Sequence, residues 1–145
     1  MSEANLRALI RYRLEQADDA VHAAHILLDS HFLRDTVNRA YYGMFYAVLA
    51  LLVTKQLGTS KHRGAISLFD REFVRTGTFD RELSGWLHTT FEMRLSADYA
   101  ERVIIPQEKA QEALQRAETF ISRVKTYLCD LLGDASMAEP TGGNT

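Results

Sequence analysis

The sequence predicts an all-α protein: an antiparallel four-helix bundle with an additional short helix. Apolar residues recur at steps of three and four through four long windows, and no stretch alternates with period two for long enough to make a strand. With 8 Gly and 2 Pro in 145 residues, the chain also lacks the turn residues of a β-sandwich.

The first helix is expected over residues 5–29, where Leu6, Ile10, Leu14, Ala17, Val21, Ala24 and Leu28 form one stripe opposite Arg11, Asp18, His22, His25 and Asp29. A second is expected over about 35–56, with Val37, Tyr41, Met44 or Phe45, Val48 and Leu51 or Leu52 as its core stripe and Gly58 as its stop. This helix has a further face, Arg39, Tyr42, Tyr46, Leu49 and Val53, which reads either as a helix buried all round or as a homodimer seam. Ser60 is the expected N-cap of a short third helix through Ala65, Ile66, Leu68 and Phe69, stopping near 75–78. Asp80 opens a fourth with the stripe Leu83, Leu87, Phe91 and Arg94.

The period then breaks, and Pro106 suits the first turn of a last helix whose stripe is Ala110, Leu114, Ala117, Ile121, Val124, Leu128 and Leu131. The expected organisation is one helical domain over 1–132 and a disordered tail over 133–145, which is small and polar.

Hydrophobic residues are 46% and charged residues 25%, which excludes a disordered chain. Cys129 is the one cysteine, so no disulfide closes within the chain and a reducing cytoplasmic location is expected. The longest apolar run, 47–53, is far shorter than the ~18 residues of a membrane span. The net charge of −2 gives no global attraction to a polyanion. It is, however, unevenly spread: residues 55–75 carry Lys55, Lys61, Arg63, Arg71 and Arg75 against Asp70 and Glu72, a local +3 that leaves −5 for the rest.

Arg94 stands where the fourth helix should be apolar. Either it pairs with Asp98, one turn on, or it points into a groove and binds phosphate. Asp19, His22, His25 and Asp29 share a face but lack the Glu-x-x-His pairs of a di-iron bundle, so no metal or other cofactor is expected.

The segment Asn38-Arg39-Ala40-Tyr41-Tyr42-Gly43-Met44-Phe45-Tyr46-Ala47 resembles the signature helix of the HEPN domain family, prokaryotic branch. Ser60-Lys61-His62-Arg63-Gly64 and Arg94-Leu95-Ser96-Ala97-Asp98-Tyr99 match in order, and together the resemblance covers about residues 5–130. It implies a homodimeric bundle, often paired with a minimal nucleotidyltransferase as toxin and antitoxin. It further implies a metal-independent ribonuclease with an Arg-x(4–6)-His motif at the dimer cleft. Arg94 matches the motif arginine, but Tyr99 stands where the histidine would be. A phenol is a poor base at neutral pH.

The expected catalytic residues are therefore Arg94, His62 and Tyr99, with His62 supplying the imidazole from another helix. Arg39, Tyr42, Lys61, Arg63 and Asp98 are the expected phosphate or RNA contacts. The competing reading is a non-catalytic module that docks a nucleotidyltransferase partner.

Overall fold

The computed structural model describes residues 2–99 and 104–140, the side chains of residues 98 and 99 excepted. It contains helices α1 (Glu3–Asp29), α2 (Leu33–Thr54), α3 (His62–Phe69), α4 (Arg81–Tyr99) and α5 (Gln107–Leu132). A π-helical turn, Asp70–Val74, follows α3, and a 3-10 turn, Ala135–Ala138, follows α5. Among the described residues there is no strand. The four long helices and the short one are those the apolar spacing predicts.

Helix α2 is the axis of the bundle and packs against α1, α3, α4 and α5. Its composition explains this position. Val37, Tyr41, Met44, Val48, Leu51 and Leu52 fill the interior, while Ala40, Gly43, Ala47 and Ala50 let neighbouring helices close in. At Gly43 a Cβ would lie 3.1 Å from Val21 Cγ2 and 3.2 Å from Ile121 Cδ1, so α1 and α5 meet over the missing side chain. Of the further face, Val53 is buried, whereas Arg39, Tyr42, Tyr46 and Leu49 remain half-buried along one stripe.

A second part of the core gathers aromatic rings. Phe69 lies between Phe73, Phe79 and Phe120, with ring centroids 5.5 to 6.2 Å apart. Burial of each such ring contributes about 1.5–3 kcal/mol, which anchors the short α3 segment to α5. The π turn donates Arg75 N–H to Asp70 C=O at 2.9 Å, and Gly77 at φ 82 reverses the chain toward α4.

Several local expectations are corrected. Ser60 is not the cap of α3: Lys61 occupies that position without a side-chain cap bond, and Thr59 Oγ1 instead accepts from Lys61 N–H at 3.2 Å. Gly58 does not end α2. Gln56 takes the left-handed conformation at φ 53, and Leu57 N–H reaches back to Leu52 C=O at 3.0 Å. His31, at φ 62, closes α1 in the same way. Leu131, expected in the stripe of α5, is half exposed, whereas Leu128 is fully buried and Leu132 packs against the core.

The pattern of small and polar residues suggests disorder from 133 onward, yet residues 134–140 have a defined course. Asp134 pairs with Arg7 and Arg11 and caps Ser136, and Met137 is buried. Residues 141–145 of that tail lie outside the described residues.

Candidate functional site

The cluster around Tyr41 is built by three helices. Tyr41 belongs to the buried stripe of α2, so its ring is enclosed by Phe45 and Phe91, at centroid distances of 6.0 and 5.4 Å. A buried phenol needs a partner for its hydroxyl. It finds one in His62, the first residue of α3, whose Nδ1 lies 2.9 Å from Tyr41 Oη. The imidazole also lies against Phe45, with centroids 4.4 Å apart.

At Gly64 a Cβ would lie 3.0 Å from Thr59 Oγ1, so the missing side chain leaves room for the loop before α3 to fold back over the helix.

Arg94 reaches in from α4. Its guanidinium carbon is 5.3 Å from the Tyr42 ring centroid and 5.5 Å from that of Tyr41. From α2, Arg39 approaches the same Tyr42 ring to 4.7 Å, and its Nε is 3.4 Å from Asn38 Oδ1. Two cations thus converge on one half-buried ring, each gaining from the π face and costing the other through repulsion. Arg34 donates to the carbonyl of Ala97 and ties the start of α2 to the far end of α4, which holds the Arg94 segment in place.

The electrostatics follow from this packing. Burial lowers the pKa of His62 below its ordinary value, and the Arg94 charge lowers it further, so the ring is neutral at pH 7. Burial raises the Tyr41 pKa well above the ordinary phenol range, the Arg94 charge opposing it only in part. Tyr41 therefore remains a neutral hydroxyl whose direction of hydrogen bonding to Nδ1 follows the imidazole tautomer: with the proton on Nδ1, Tyr41 accepts and Nε2 is the basic atom; with the proton on Nε2, Tyr41 donates to Nδ1.

Of the residues expected from sequence, the fold brings together Arg94, His62, Arg39 and Tyr42. Arg63 lies at the edge of this group, 5.0 Å over the Phe91 ring, and Lys61 is exposed at the start of α3. The side chains of Asp98 and Tyr99 lie outside the described residues. Sequence reasoning placed Tyr41 in the core and missed its bond to His62. The available signal was a tyrosine at a fully buried stripe position, where a phenylalanine would leave no hydroxyl to satisfy.

On α1, His25 Nε2 is 3.3 Å from Glu118 Oε2, and His22 is exposed. Among the described residues no three His, Cys, Asp or Glu side chains are placed to hold a metal ion.

The fold and this cluster define a class: an α-protein, with five α-helices among the described residues, whose central helix carries an arginine–tyrosine face opposite a histidine from the short helix. The HEPN domain model matches residues 10–127, and the chain belongs to the HEPN domain family. It is 37% identical over 123 residues to a UPF0332 protein of Thermotoga maritima, covering 85% of this chain and 93% of the relative. Two proteins of Methanocaldococcus jannaschii, whose names class them as candidate toxins, are 36% and 34% identical. The first match covers 79% of this chain and 78% of the relative, the second 88% and 95%. Among the described residues no helix is long and apolar enough to cross a membrane.

Proposed function

We propose that the chain is a dimeric HEPN module that binds RNA through Arg39, Arg94 and His62, cleaves it without a metal, and serves as the toxin-like half of a pair with a nucleotidyltransferase. The observation that carries this reading is the convergence of two guanidinium groups on Tyr42 beside an anchored, neutral imidazole. Guanidinium groups match phosphate oxygens in geometry and charge. An imidazole that is unprotonated at pH 7 is in the state a general base requires.

In the proposed reaction His62 Nε2 takes the proton of the ribose 2′-hydroxyl and the 2′-oxygen bonds to phosphorus. The P–O5′ bond breaks, and the leaving 5′-oxygen is protonated by water. Arg94 and Arg39 stabilise the charge that develops on the non-bridging oxygens. The products carry a 2′,3′-cyclic phosphate and a 5′-hydroxyl. The names of the two archaeal relatives support the toxin role, and the half-buried stripe of Tyr42, Tyr46 and Leu49 supports a seam between two copies.

Purified protein incubated with tRNA and mRNA, beside Arg94→Ala and His62→Ala, tests the site. Cleavage by the wild type that both variants lose is expected; cleavage that persists equally in both refutes it. Light scattering at micromolar concentration should return twice the 16.5 kDa monomer mass. The occurrence of Tyr99 at the motif-histidine spacing supports a second reading, a non-catalytic docking module, which intact RNA in the wild-type reaction would favour.

A further inference from the structure

We propose that a cavity adjoining this site is a base-reading subsite selective for an unpaired guanine, an inference that rests on the RNA-binding reading above. The cavity, of about 190 Å³, opens between α3 and α4 and is lined by Arg63, Ile66, Ser67, His88, Phe91 and Glu92. It shares a wall with the phosphate site. The Phe91 ring lies 6.4 Å from the His62 ring and nearly parallel to it, and the Arg63 guanidinium lies 5.0 Å from the same ring. A nucleotide whose phosphate meets His62 and Arg94 therefore has this cavity one side chain away.

The walls are held in position. Asp70 bonds the Nε2 of His88 at 2.7 Å and accepts from the Ser84 hydroxyl at 2.6 Å. An ionised carboxylate only accepts, so Nε2 carries the proton and the ring orientation is fixed. Ile66 and Phe91 are each 4% exposed and form an apolar floor suited to a flat ring.

Arg63 and Glu92 bring opposite charges to one small cavity, and among the described residues neither has an ion-pair partner. Both side chains are exposed, so in the free protein water meets their hydrogen-bonding capacity, and a third group can take it over. A phosphate would satisfy Arg63 but meet repulsion from Glu92, which points to a base instead. Guanine satisfies both: O6 and N7 accept from a guanidinium, while N1–H and the 2-amino group donate to a carboxylate. Adenine sets its amino group beside N7, against the guanidinium. Cytosine satisfies the carboxylate alone, and uracil has a single N–H. A site that pairs both edges of guanine gains less from analogues that meet only one of its charged groups.

The test is fluorescence anisotropy with labelled uridine hexamers carrying one central G, A, C, U or inosine. One bidentate pair is worth about 1–3 kcal/mol, so the G hexamer should bind roughly 5- to 150-fold more tightly than the A hexamer. Inosine, lacking the 2-amino group, should fall between them. Glu92→Gln, at an exposed position, should shrink the ratio of G to inosine toward one. Equal binding of all hexamers overturns the subsite and leaves the RNA-binding reading standing. A guanine preference unchanged in Glu92→Gln also overturns it. Failure of every hexamer to bind refutes both proposals.

Discussion

Replacing Tyr41 by Phe removes one oxygen from the centre of the site and leaves the packing in place. The ring is fully buried against Phe45 and Phe91, and those contacts do not involve Oη. The energetic loss is therefore that of the hydrogen bond to His62 Nδ1 at 2.9 Å, not that of a cavity. A net hydrogen bond contributes about 0.5–1.5 kcal/mol, and stranding a fully buried partner about 1–3 kcal/mol. His62 is only half-buried, so water can reach its ring and the expected cost is about 1 kcal/mol.

For a chain of this length the entropy of unfolding is about 0.3 kcal/mol per kelvin, so Tyr41→Phe should lower Tm by about 3 °C in a calorimetric scan. The same variant should release the imidazole. Nitrogen-15 NMR should find one His62 tautomer, protonated on Nδ1, in the wild type and a mixture in Tyr41→Phe. RNA cleavage should slow by at least about tenfold while affinity changes little, because Arg39 and Arg94 are untouched. Unchanged Tm together with an unchanged His62 spectrum would show that the Tyr41–His62 bond is not formed in solution. A loss of more than about 3 kcal/mol would show that the substitution disturbs the core, contrary to the packing described.

Arg39→Gln and Arg94→Gln should each weaken single-stranded RNA binding and reduce the slope of log affinity against log salt by about 0.7, as measured by anisotropy titrations between 50 and 200 mM salt. The pH dependence of stability has a definite sign. Because the folded His62 pKa lies below that of the unfolded chain, the unfolded state binds more protons between the two values. The wild type should therefore lose stability as pH falls below about 6.5, by at most about 1.4 kcal/mol per pH unit, and level off below the folded pKa. Urea melts of wild type and His62→Gln from pH 5 to 7.5 isolate this contribution, since all other groups titrate in both. Gln56→Gly should raise stability by up to about 1 kcal/mol by relieving a side chain held at positive φ, measured by the same melts; no gain would mean that the left-handed cap is not strained.

Helices were legible wherever apolar residues kept one face over several turns. The stripes Ile10, Leu14, Ala17 and Ala24 on α1 and Ala110, Leu114, Ala117, Val124 and Leu128 on α5 are buried as their spacing requires. Helix ends were less legible. Glycine is the favoured left-handed cap, but Gln56 and His31 adopt that conformation because the turns between packed helices require it at those positions.

Within the site, residue types indicated Arg39, Tyr42 and Arg94 as candidates, because arginine on an apolar stripe and tyrosine on a second helix face exceed what a core needs; His62 entered through the family resemblance, as an imidazole from another helix where the motif histidine is missing. Tyr41 escaped notice because a stripe position accounts for its ring and says nothing of its hydroxyl. The bond of His88 is illegible for a related reason: its partner, Asp70, lies 18 positions earlier and on another element.

The sequence by itself determined the all-α class, the number of helices and the faces they bury, and it left the Arg39, Tyr42 and Tyr46 face of the second helix open between full burial and a seam. These are local properties, since a period of 3.6 residues is written in consecutive side chains. Only the tertiary structure decided that His62 meets Tyr41, that Arg39 and Arg94 share one ring, and that Arg63 and Glu92 face one cavity. Those meetings depend on how α2, α3 and α4 pack against one another. Such packing is set by side-chain volumes across three helices at once, and no one segment of the chain contains it.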